Sequence, residues 1–197
     1  MIEERNYLIH PHYVILTLVL SSITALFLGF SIAYLYTRIQ SGIEPVHIPG
    51  LFYFNSLILI GSSITLIQAK RAYQNDRTEQ FKFLLWITLV LTVFFLIAQI
   101  MAWRQLTSLN VHLTTSNLAS YLYVISGLHF VHVVAGIPFL SYFIWVAHKR
   151  LKEPVSVLIY FSDPDKKRKL SLLNTYWHFL DILWIYLVVF FLGNYLV

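Results

Sequence analysis

Long stretches without formal charge divide this chain, and they decide what it can fold into. Asp, Glu, Lys and Arg are absent from Asn6 to Thr37, from Pro45 to Ala69, from Phe83 to Trp103 and from Gln105 to His148. A helix of about 20 apolar residues crosses a ~30 Å hydrocarbon core, so each stretch can hold one. The fourth opens with a polar segment rich in Thr, Ser and Asn, Gln105 to Asn117, and so divides into a loop and one helix from Leu118 onward. A fifth apolar run, from Leu172 to Leu196, is interrupted only by Asp181. The expectation is an all-α integral membrane protein, a bundle of five transmembrane helices at 13–37, 51–70, 83–104, 118–148 and 172–196. These spans form a single membrane domain over residues 1–197. Charged residues are 12% of the sequence, against ~25% in a soluble domain, which leaves little chain for a separate catalytic module. Glu3, Glu4 and Arg5 make a poor signal-peptide n-region, so the first run is expected to stay as the first membrane helix.

The net charge of +5 sits in the short connections, where it reads as topology rather than nucleic-acid binding. One side of the five-span arrangement holds Arg5, Lys70, Arg71, Arg77, Lys82, Lys149, Arg150, Lys152, Lys166, Lys167, Arg168 and Lys169. The other holds Arg38 and Arg104. Positive loops stay inside, which places the N-terminus in the cytoplasm and the C-terminus outside. The tract from Asp163 to Lys169 reads as a solvated cytoplasmic loop, and the basic loops are expected to attract anionic lipid heads. Cysteine is absent, which excludes disulfides, iron–sulfur clusters, thiolate zinc and Cys-ligated copper; any redox chemistry would have to rest on histidine.

Polar side chains inside a membrane are costly and need a partner or a purpose. Ser21, Ala25, Gly29 and Ala33 recur at intervals of four and read as a face for close helix packing. Gly61, Ser62, Ser63 and Thr65 read the same way, with hydroxyls able to bond their own backbone. The fourth span carries Gly127, His129, His132 and Gly136, and the fifth carries His178 and Asp181. His129 and His132 are three residues apart, as are His178 and Asp181, so each pair shares a helix face. Three readings stay open for these four residues: a structural polar cluster locking two helices, a metal or haem site, and proton transfer. By depth, His132 is level with His178 and His129 with Asp181, to within about one turn, so a histidine could donate to Asp181 across the interface. His10, His12, His47, His112 and His148 fall near span ends or in loops.

The segments Ser126 to Gly136 and Tyr176 to Trp184 resemble the two signature segments of subunit III of haem-copper terminal oxidases. The second, with Tyr176, Trp177, His178, Phe179, Asp181 and Trp184, is the more specific. Asn55, Ser62 and Ser63 lie in a second-span segment similar to that family's Asn-Thr…Ser-Ser-x-Thr string, and Gln99 matches its third-span Gln. The resemblance covers all five spans in the family's short form. Two positions depart from it: Ile23 and Ala102 stand where the family usually carries intramembrane acids.

The resemblance implies an accessory subunit of a bacterial respiratory oxidase that reduces oxygen to water and pumps protons. It implies packing against subunit I, association with subunit II, bound phospholipid, support of proton uptake and stability, and location in the bacterial cytoplasmic (inner) membrane. No redox cofactor is implied in this chain; haem and copper lie in the partner subunits. The alternatives are an accessory subunit of a nitric oxide reductase, a stand-alone b-type cytochrome with His132 and His178 as haem ligands, and a small transporter. The last is disfavoured by the lack of internal repeats.

Overall fold

The computed structural model describes residues 10–151, 157 and 160–196. Among these, five helices are long and apolar enough to cross a membrane: α1 (Pro11–Ser41), α2 (Gly50–Gln74), α3 (Thr78–Ser108), α4 (Asn117–Arg150) and α5 (Pro164–Leu196). Every helix outruns its expected span. With 34 residues, α4 is ~51 Å long, so its excess over a ~30 Å core is taken up by tilt or stands beyond the hydrocarbon.

Local chemistry sets the helix ends. Pro11 opens α1, and Gly42 closes it with φ of 60°, where its N–H reaches Arg38 O at 3.1 Å. Ser116 caps α4 by accepting from the Ala119 N–H at 3.1 Å. The tract expected as a solvated loop is instead the start of α5. Asp163 accepts from the Asp165 N–H at 2.8 Å and Pro164 opens the helix, so an acidic cap and a proline nucleate it before the basic residues. Between α2 and α3 the chain turns through Asn75, Asp76 and Arg77, with Asp76 at φ of 56°, a conformation that Asp tolerates better than most residues.

The hairpin of α2 and α3 makes the most extensive contact in the bundle, and α5 packs on α2, α4 and α1. The core has two layers, one centred on Phe95 and Trp184 and the other on Leu85 and Leu140. Only the first receives α1, through Ile23, Phe27 and Tyr34. No residue of α1 before Ile23 is buried. The small residues Ser21, Ala25 and Gly29 are exposed, and a Cβ at Gly29 would meet nothing within 4 Å. The expected packing stripe therefore faces outward, because the large side chains of the neighbouring face take the contact with α4 and α5.

Positive side chains gather at one end of the bundle. Lys70 donates to Ser171 at 3.5 Å, Lys82 to the Leu151 carbonyl at 3.0 Å, and Arg168 to His10 Nε2 at 2.6 Å. Arg38 lies at the other end, donating to Asn194 at 3.0 Å. Arg5 and Lys152, which entered the charge comparison, lie outside the described residues.

The bond from Arg168 ties the start of α1 to the start of α5. A guanidinium can only donate, so His10 Nε2 must be an unprotonated acceptor. Burial, then Arg168 and His12, hold the His10 pKa below the ordinary imidazole value. A cation whose folded pKa is lowered stabilises the fold while neutral. The contribution is present above the unfolded value of about 6.5 and is lost as pH falls through the folded value. Spin labels at introduced cysteines, Tyr13→Cys and Lys169→Cys, should report a fixed distance at pH 8 that broadens on acidification, and His10→Phe should show the broad distribution at both pH values.

Candidate functional site

The polar residues singled out in the sequence line the seams around α5, and α2 is their main partner. Adjacent residues on one helix meet adjacent residues on the other. Trp177 Nε1–H donates to Ser62 Oγ at 3.2 Å, and Ser63 Oγ shares a 2.6 Å hydrogen bond with His178 Nδ1. The Ser63 hydroxyl also lies beside the Asp181 carboxyl. Asp181 Oδ2 is 3.9 Å from His178 Nδ1 on its own helix and has no hydrogen-bond partner. Ser62 and Ser63 thus do not bond their own backbone as expected; only Thr65 does, donating to Ser62 O at 2.8 Å while meeting Thr88 Oγ1 at 2.9 Å.

Contact between α4 and α5 rests on shape. A Cβ on Gly136 would stand 2.9 Å from Trp177 Cζ3 and 3.2 Å from Tyr176 Cε1, so only glycine lets the two aromatic rings lie against α4. Beside it, Tyr176 donates its hydroxyl to the His132 carbonyl at 2.8 Å. Gly127 has open space where a Cβ would stand, and nothing in the structure explains it. Phe179 is partly buried against the core layer that holds Trp184.

The expected antiparallel level of α4 and α5 holds to within about a turn, since His132 meets Tyr176 and His129 meets Trp184. The expected chemistry differs. No histidine of α4 donates to Asp181. The His132 Nδ1–H bonds the Leu128 carbonyl of its own helix at 2.7 Å, and the ring packs 5.9 Å from Phe27 of α1. His129 is fully buried between Trp184, at 5.0 Å, and Phe95, at 5.8 Å. An imidazole enclosed by aromatic faces cannot also reach a carboxylate a turn away. His132 and His178 are engaged with different helices, so they do not form a facing pair for haem. Among the described residues no three His, Cys, Asp or Glu side chains gather into a group that could hold a metal ion.

In the other half of the bundle, Asn55 Nδ2 donates to Gln99 Oε1 at 2.9 Å with both residues fully buried. Ile23 and Ala102, where acids were expected by resemblance, are both core residues. Sequence reasoning missed the bonds from Trp103 Nε1 to Ser126 Oγ (3.0 Å) and from Tyr186 to Ser31 (3.0 Å). It also missed α2 as the partner of the His178 face, although Ser62-Ser63 beside Trp177-His178 offered the signal of two adjacent polar residues at matching depth.

The family profile described as cytochrome c oxidase subunit III matches residues 14–194. This chain belongs to the cytochrome c oxidase subunit III family. It is 31% identical to cytochrome c oxidase subunit 3 of Synechocystis sp. over 183 residues, covering 89% of this chain and 72% of that protein. It is 29% identical to the Thermostichus vulcanus protein of the same name, over 90% of this chain and 86% of the relative. For the Bacillus subtilis protein the figures are 26% identity, 73% and 66%. As a subunit III, the chain is a multi-pass protein of a bacterial inner membrane and a member of a haem-copper oxidase complex.

Within this subunit III, the contact of Gly136 with Trp177 gives a direct test of the α4 and α5 seam. Gly136→Val places three carbons where rings already lie, and overpacking of this kind costs about 1–3 kcal/mol. The thermal midpoint of the detergent-solubilised protein should fall, and Gly136→Ala, which adds only the Cβ, should lower it by less.

Proposed function

We propose that this chain acts as a non-catalytic, lipid-binding subunit that packs against subunit I of its oxidase and sustains turnover there, alongside subunit II. The observation that carries the reading is the engagement of the signature side chains with one another. Ser62, Ser63, Tyr176, Trp177 and His178 hold helices together, and Gly136 admits the rings that they position. Side chains committed to helix contacts suit a scaffold, and the haem and copper chemistry falls to partner chains. The chain acts as one membrane domain, with phospholipid as its bound small molecule.

A cleft of about 330 Å³ at the basic end supports the lipid assignment. Lys70, Lys167, Arg168, Tyr13, Tyr73 and Ser171 line it. It lies beside the half of α1 that buries nothing, so a phosphate head can meet the cations while acyl chains run along the apolar face. The outward stripe of Ser21, Ala25 and Gly29 offers a surface where a partner helix can approach closely. Support of proton uptake follows from the same placement, because the basic end and its lipid would adjoin the entry side of subunit I.

Deleting the chain should leave haem incorporation into the oxidase intact, read from the pyridine haemochrome spectrum, and shorten the number of turnovers before inactivation. Equal turnover lifetimes with and without the chain would refute the supporting role. Charge placement further supports a cytoplasmic position for the basic end. Lys167→Cys should therefore resist an impermeant thiol reagent in intact spheroplasts while Ser41→Cys reacts, each in a background free of other thiols.

A further inference from the structure

Four polar side chains, one from each of α2, α3, α4 and α5, lie in a single layer of the bundle, and together they have more hydrogen-bonding groups than partners. The level of each is fixed by bonds elsewhere on the same helices. Asn55 precedes Ser62 by seven residues and Trp184 follows Trp177 by seven, so the bond between Ser62 and Trp177 places Asn55 and Trp184 at one height on the antiparallel pair. Gln99 precedes Trp103 by four residues and His129 follows Ser126 by three, so the bond between Trp103 and Ser126 sets Gln99 level with His129. The bond between Asn55 and Gln99 and the ring contact of His129 with Trp184 join the two pairs. Phe95, one turn from Gln99, touches both of those rings, and Phe52, one turn from Asn55, touches Trp184.

Asn55, Gln99 and His129 are fully buried and Trp184 is 1% exposed. Among the described residues no group hydrogen-bonds to Asn55 Oδ1, Gln99 Nε2, either nitrogen of His129 or Trp184 Nε1. Exchanging N and O in both amides reverses the bond between Asn55 and Gln99 and still leaves one amide NH₂ and one carbonyl oxygen unmatched. The layer therefore offers N–H groups from an amide, an indole and an imidazole, with acceptors on the other amide and on the second imidazole nitrogen. A water molecule accepts two hydrogen bonds and donates two, which suits this set. Buried polar groups in native proteins are matched by such waters when protein does not match them.

We propose that this layer is an internal water site, in which a water accepts from Gln99 and Trp184 and donates to Asn55 and His129. The imidazole N–H left over takes a second water. The buried rings of Phe52 and Phe95 pack beside the site, and it hydrates the centre of a contact among four helices. This proposal stands apart from the role in the oxidase and holds whatever the chain supports there.

The test uses the protein purified from its native membrane with the chains that accompany it, at a resolution where ordered water is visible. Density within hydrogen-bonding distance of at least three of Asn55, Gln99, His129 and Trp184 is expected. A dry layer, or direct pairing of these side chains with one another or with a partner chain, overturns the proposal. His129→Phe supplies an independent reading, because it removes no bond between protein groups. It should lower the thermal midpoint by several degrees by taking one partner from each of the two waters, whereas an unchanged or raised midpoint means that the imidazole was simply unpaired and overturns the proposal.

Discussion

Ser62 and Ser63 on α2, set against Trp177 and His178 on α5, fix how the last helix sits, and much of the bundle follows from that setting. A polar group in hydrocarbon surroundings has no water to fall back on, so two adjacent bonds determine rotation and axial position together. With Trp177 turned toward Ser62, its ring edge lies against α4 at Gly136, and Tyr176 reaches the His132 carbonyl. Two turns further along, Trp184 enters the core among Phe52, Phe95 and His129. A slip of one residue in α5 would rotate all of these side chains by about 100° and break both bonds to α2.

The number and type of helices were legible because charge-free runs of spanning length have one solution in a bilayer. Asp163 to Lys169 was misread as a loop because a run of positive charge looks like a connection, although Asp163 and Pro164 form a helix start. The antiparallel level of His132 and His178 was close, but depth along the membrane normal says nothing of azimuth. Azimuth gave His178 to Ser63 of α2 and enclosed His129 in aromatic rings. Spacing likewise identified Ser21, Ala25 and Gly29 as a stripe without telling whether the stripe faces this chain's own helices or the outside.

Ile23 and Ala102 explain how the chain does without the acids that resemblance led one to expect. Both lie in the core layer that holds Phe27, Phe95 and Trp184, where a carboxylate would need a partner of its own. His132, with its Nδ1–H on the Leu128 carbonyl and its ring against Phe27, makes no demand on position 23. Asp181 is then the one carboxyl group within the five spans, and the Ser63 hydroxyl lies against it.

The sparse burial of α1 bears on how the protein is made. Its neighbours are α4 and α5, which leave the ribosome only after the hairpin of α2 and α3 has been synthesised. Through that interval α1 has lipid for company, with Phe27 and Tyr34 still uncovered. The binding face of α1 can therefore close only when the last helix has entered the membrane, so the first helix made is among the last to be packed.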